Sequence, residues 1–169
     1  MWNRFPGQAV LFLILFCVLT ACSAKDDVSV IRKVVEDCAR LAEEHNIKEI
    51  IKQTTEAFYA NPGKHDRQEV RKILWWAFRQ YGEFKILYPE PDIELMESDS
   101  AAICRVYFMI VRNKQEYPAL KELYDNPEAW LEEVGKNADL YRLDLNFSKN
   151  DGDWDVTKAE LAPFKGLSF

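Results

Sequence analysis

From Val28 to His45 the apolar residues Ile31, Val34, Val35, Cys38, Leu41 and Ala42 return at intervals of three and four, the stripe of an amphipathic helix. Asn46, with Glu49 three residues later, has the form of an N-cap and predicts a second helix through Ile47, Ile50, Ile51, Thr54 and Phe58. Asn61-Pro62-Gly63 ends it as a turn. Asp66 with Glu69 repeats the capping pattern and opens a third helix reaching Tyr81, with Val70, Ile73, Leu74, Ala77 and Tyr81 along one face. Trp75 and Trp76 fall outside that stripe. Either they pack beneath the first helices, as large aromatics usually do, or one belongs to a contact patch for a ligand or partner.

After Phe84 the period changes to two. Phe84, Ile86 and Tyr88 alternate, then Ile93 and Leu95 beyond Pro89 and Pro91, and the turn at Ser98-Asp99-Ser100 leads into the strongest strand, Ala101 to Arg112. Asn126-Pro127 reads as the start of a short helix carrying Trp130, Leu131 and Val134 and stopped by Gly135. In the last pair of strands Tyr141, Leu143, Leu145 and Phe147 take one face and Arg142, Asp144 and Asn146 the other, with Asn150-Asp151-Gly152 turning the chain into Trp154 to Leu161. One apolar and one polar face suit an antiparallel sheet covered by helices on a single side, so the expected class is α+β.

The N-terminus has a different pattern. Arg4 is followed by an apolar run from Ala9 to Leu19 and then by small residues, the layout of a secretory signal peptide too short to remain as a membrane span. Leu19-Thr20-Ala21-Cys22 resembles the lipobox of bacterial lipoproteins, with Thr20 where Ala or Ser is usual. The resemblance implies cleavage after residue 21 and acylation of Cys22, and with Ser23 next it implies sorting to the outer membrane, facing the periplasm. A second acyl chain makes such an anchor firm, at about 0.8 kcal/mol per buried methylene. Residues 22–27 would form a short tether spanning on the order of 15 Å, holding a single domain, 28–169, close to the bilayer.

Composition limits what that domain can do. Loss of Arg4 takes the net charge from −6 to −7, which argues against nucleic acid or anionic lipid head groups as charge-driven partners. Cys17 leaves with the signal and Cys22 with the lipid, so Cys38 and Cys104 remain in an oxidising compartment. They form a disulfide, contributing about 4 kcal/mol by loop closure, or they are two buried apolar thiols. Asp151, Asp153, Asp155 and Glu160 fail the calcium-loop spacing, because Val156 and Ala162 stand where Gly and Glu are needed. His45 and His65 have no patterned partner, so neither a metal site nor a cofactor is expected.

The order of elements, the Asp66-Arg67 and Val70-Arg71 start of the third helix and the closing Trp154, Val156 and Ala159 resemble the nuclear transport factor 2-like superfamily. More narrowly, they are similar to a group of bacterial lipoproteins with that fold. The resemblance implies a curved sheet wrapped around a long helix as a cone, with a pocket at the wide end and, in many members, a homodimer through the outer sheet face. It also implies Arg105, Tyr107, Arg142 and Asp144 as the nearest analogues of pocket residues, against the plainer reading that Arg142 and Asp144 lie on an exposed polar face. Two functions follow. One is a non-enzymatic accessory protein binding a small apolar ligand or another envelope protein; the alternative is a small lyase, isomerase or hydrolase with acid-base residues in the pocket.

Overall fold

The computed structural model describes residues 26–97, 100–112 and 139–163. The expected signal peptide, the expected attachment residue Cys22 and the helix expected at Asn126 lie outside them. Helix α1, 26–43, is already helical at Asp26, two residues ahead of its apolar stripe, and buries Ile31, Val35 and Leu41. It closes with His45 in the left-handed region at φ 57°, Asn46 N–H bonding to Leu41 C=O at 2.8 Å and His45 N–H to Ala42 C=O at 3.0 Å. That is the paired hydrogen-bond pattern of a Schellman ending, which satisfies carbonyls the helix would leave free.

Asn46 then caps the next helix at once, its side chain accepting from Glu49 N–H, but α2 runs only over Ile47–Lys52. The expected continuation through Thr54 and Phe58 is corrected: Thr54–Asn61 is strand β1. The β-branched pair Thr54-Thr55 and the aromatic pair Phe58-Tyr59 suit a pleated surface better than a helix. Phe58 reaches the core from this strand as β1 runs parallel to β7, with Thr54 opposite Val156 and Asn61 opposite Glu160.

The turn at residues 61–64 feeds the short strand β2, His65–Asp66, back against β1. Gly63 sits at φ 102°, and a Cβ there would lie 2.4 Å from His65 Nε2. Gly63→Ala therefore meets both a backbone and a steric penalty, and should lower the unfolding free energy by about 1 to 2 kcal/mol in urea titrations.

Asp66 caps α3, Arg67–Tyr81, through a full capping box: its carboxylate accepts from the N–H groups of Gln68 and Glu69, and Glu69 accepts from Asp66 N–H. The helix buries Phe78 and packs Val70 on the core, whereas Ile73, counted in the sequence stripe, is exposed. Strands β3 (Phe84–Leu87), β4 (Asp92–Leu95), β5 (Ala101–Arg112), β6 (Asp139–Asn150) and β7 (Asp153–Pro163) follow the period-two pattern. The sheet order is β2-β1-β7-β6-β5-β3, with β4 also on β5. Every ladder is antiparallel except β1 on β7. The α+β class is as expected, and the parallel β1 makes the sheet mixed.

Register places Ala102 opposite Phe147, Cys104 opposite Leu145 and Val106 opposite Leu143. These face the helices and form one core with Ile31, Val35, Phe58, Trp154 and Val156. The β6–β7 hairpin turns through Asp151 at φ 52° and Gly152 at φ 96°, the mirror-image turn whose twist suits two-residue hairpins. Its end is fastened to the first turn of α1. Asp27, 6% exposed, accepts from Lys149 Nζ at 2.6 Å and Trp154 Nε1 at 3.0 Å.

Candidate functional site

The helix-facing side of the sheet is where a cone-shaped fold would hold a ligand. Here the middle of that side is packed with the core side chains named above. Beyond them, at the end where α3 finishes, Phe78 and Phe84 stack with His45 at centroid distances of 5.2 and 5.4 Å. Phe108 stacks on Tyr141 at 5.5 Å. Tyr81 donates its hydroxyl to Asp139 Oδ2 at 2.7 Å and lies 3.0 Å from the Tyr141 hydroxyl, with the Arg112 guanidinium over its ring. Burial, then the hydrogen bonds to Tyr141 and Asp139, push the Tyr81 phenol well above its ordinary value, so it stays protonated. The group is a proton-holding clasp that ties the end of α3 to the start of β6. By local pattern Tyr81 and Tyr141 are each one more apolar position on its own element. Only their pairing across about sixty positions, which no local pattern carries, brings the hydroxyls together.

Arg105, Tyr107, Arg142 and Asp144 lie on the opposite side of the sheet. Cys104, Val106, Leu143 and Leu145 point into the core, so their chain neighbours point outward. Cross-strand partners are Arg105 with Asp144 and Tyr107 with Arg142. Asp144 takes both arginines, Arg105 Nε at 2.7 Å and Arg142 Nε at 3.0 Å. The hydrogen bond to Asp144 holds the Arg105 guanidinium more basic than usual. This is an ion-pair triad on the outer face, the placement that the plainer reading of the alternation gives.

Cys38 and Cys104 are free thiols, Cys104 wholly buried in the core and Cys38 partly buried. Desolvation raises both, Cys38 to about 11 and Cys104 to about 12, so each acts as a small apolar group and neither as a nucleophile. Of the two readings of this pair, the structure has the thiols unbridged.

Trp75 and Trp76 do not pack beneath the first helices. They are 55% and 62% exposed. Trp75 lines a recess of about 500 Å³ between α2 and α3, together with Ile47, Lys48, Arg71 and Lys72. Its α2 wall comes from the first residues of that helix, Ile47 and Lys48, and its α3 wall from Arg71, Lys72 and Trp75. Arg79 lies over the Trp75 ring at 5.5 Å. The site thus offers an aromatic wall and several cations in an otherwise acidic chain.

No family model matches the chain, and no curated relative does. The fold itself is well represented among solved structures. A nuclear transport factor 2-like protein with a cystatin-like fold from Novosphingobium aromaticivorans superposes with TM-score 0.64 at 11% identity, covering 89% of this chain and 90% of that one. A protein of the same organism assigned as a scytalone dehydratase gives TM-score 0.62 at 15% identity, with 85% and 87% covered. A nuclear transport factor 2-like protein of unknown function from Pseudomonas putida gives 0.62 at 12%, with 84% and 90% covered. The chain therefore has the nuclear transport factor 2-like α+β fold, helices packed on a curved, unclosed mixed sheet.

Proposed function

We propose that this is a lipid-anchored protein of the bacterial envelope that works by binding and not by catalysis. The observation that carries the reading is the filled helix-facing side of the sheet: Phe58, Phe147, Trp154 and their neighbours occupy the space a substrate would take, and Asp144 is turned outward. Among the described residues, a ligand-sized concavity lies on the helical surface, beside Trp75. The lyase, isomerase or hydrolase alternative would draw its acid-base pair from the clasp, where the Asp139 carboxylate is taken up by the Tyr81 hydroxyl. That phenol is held protonated, which leaves it a donor.

The anchor is supported by the apolar run and Leu19-Thr20-Ala21-Cys22. Among the described helices none is long and apolar enough to cross a membrane. Cys22→Ser should abolish incorporation of labelled palmitate and leave the precursor uncleaved. Undiminished labelling in the variant sinks the anchored reading. The binding half is tested by placing a photoreactive amino acid at position 76 and crosslinking in intact envelopes. Adducts to envelope protein or lipid are expected, and their absence at this exposed position would count against it.

A further inference from the structure

The occupant of the α2–α3 recess can be narrowed by its charge. We infer that this face docks on the bilayer itself, with phosphate-bearing anionic head groups meeting Lys48, Arg71 and Lys72 while Trp75 and Trp76 enter the interfacial zone; the inference deepens the anchored-binding reading and rests on it. Many cations elsewhere are matched to acids, as in Arg32 with Glu90, Lys85 with Glu43 and Lys149 with Asp27. Among the described residues Lys48, Arg71 and Lys72 have no carboxylate partner within ion-pair distance. The acids beside them in sequence are engaged: Glu49 holds Lys52 at 2.8 Å, and Glu69 accepts from Asp66 N–H at 3.1 Å with His65 3.4 Å away.

The geometry of α3 adds the second half of the argument. At about 100° per residue, Arg71, Trp75, Arg79, Lys72 and Trp76 span an exposed arc of about 140°, its middle opposite Val70, which packs on the core, and its Arg71 edge bordering the buried Phe78. An exposed arc of tryptophan among lysine and arginine is the composition that settles at a membrane interface, where the indole body is shielded and the cations stay wet. An acidic protein would also pair these cations and could cover Trp76, 62% exposed, and the vesicle test separates it from the bilayer, because protein docking gives no quenching that depends on phosphatidylglycerol.

Net charge points the other way, and it misleads here. A total of −7 after loss of Arg4 governs attraction from a distance, but a contact made within a Debye length of about 10 Å feels the local patch. A domain tethered to the bilayer needs only that local contact.

The test uses the mature acylated protein reconstituted into vesicles of phosphatidylcholine, with or without phosphatidylglycerol, and with acyl-chain-brominated lipid as the quencher. Fluorescence belonging to Trp75 and Trp76 is isolated by subtracting a Trp75→Phe/Trp76→Phe variant. Quenching is expected only with phosphatidylglycerol present, and raised salt should reverse it. Lys48, Arg71 and Lys72 are all exposed, so a Lys48→Gln/Arg71→Gln/Lys72→Gln variant should keep its fold and its far-ultraviolet spectrum. Its ratio of docked to undocked protein should fall on the order of a hundredfold, about fivefold per cation. Equal quenching in phosphatidylcholine alone, or none in either vesicle, overturns the docking and leaves the anchor standing. A purified chain whose mass lacks acyl groups overturns the anchor, and cosedimentation of that chain with phosphatidylglycerol vesicles then decides the docking on its own: pelleting supports it and failure to pellet ends it.

Discussion

Phe147→Ala is expected to lower the unfolding free energy by about 3 to 5 kcal/mol, enough to leave the domain largely unfolded at growth temperature. Phe147 is 2% exposed, stands opposite Ala102 across β5 and lies where the β6–β7 register shifts. It belongs to the same buried cluster as Trp154, Val156, Phe58 and Ile31. The small side chain opposite it cannot expand to fill the void, so the cavity cost adds to the lost transfer energy. Tyr107→Ala on the outer face of the neighbouring strand is the control, and should cost under about 1 kcal/mol. Urea unfolding of the two variants reads the contrast directly. Similar midpoints would mean that the helix-facing side is not the main core, and would reopen a pocket there.

Asp27→Ala is expected to lower stability by about 3 kcal/mol and to change how stability depends on pH. The carboxylate is buried at the start of α1 and accepts from both Lys149 and Trp154. Removing it strands an indole N–H and a partly buried ammonium without an acceptor, a loss larger than that of a surface pair. The hydrogen bond from Lys149, and after it the one from Trp154, holds the Asp27 carboxyl below its ordinary value of 3.8. A carboxyl depressed in the folded state binds its proton more readily when unfolded. Its contribution is therefore fully present above about pH 4 and is lost as pH falls through the folded value. Wild type should thus show a steeper fall in stability at acid pH than Asp27→Asn, which still offers an oxygen to Trp154. Parallel acid-unfolding curves for the two would remove Asp27 from the account.

Local chemistry explains which elements the sequence revealed. The capping box at Asp66 and Glu69, the alternation of Ala101 to Arg112 and the Asn150-Asp151-Gly152 turn are all encoded within a few residues, and each is found where its pattern puts it. Thr54 to Phe58 failed because Ile47, Ile50 and Ile51 set a helical phase that Phe58 happens to continue. Strand pairing with Val156, a hundred residues away, decides the segment, and local propensity does not register it. Site residues divide along the same line. Arg142 and Asp144 were readable as an outer face from alternation alone, and the resemblance that drew them toward a pocket carried no such register. The recess was legible only in part: Trp75 and Trp76 stood off the stripe, but their exposure depends on how α2 packs against α3, which no local pattern carries, and a total charge averages away a cationic face.

The bond between Asp27 and the β6–β7 hairpin has a kinetic consequence when it is taken with the parallel pairing of β1. Both N-terminal elements, α1 through Asp27 and β1 through Thr54 to Asn61, complete their contacts only with residues from Lys149 onward. Such sequence-distant closure makes for slow folding, because a long loop must be ordered before any contact rewards it. A nascent chain emerges N-terminus first, so its first helix and first strand wait for Trp154. Until then Phe58 and Ile31 lack Trp154 and Val156 from their shared core, and a chain stopped before its last strand would be substrate for chaperones and proteases.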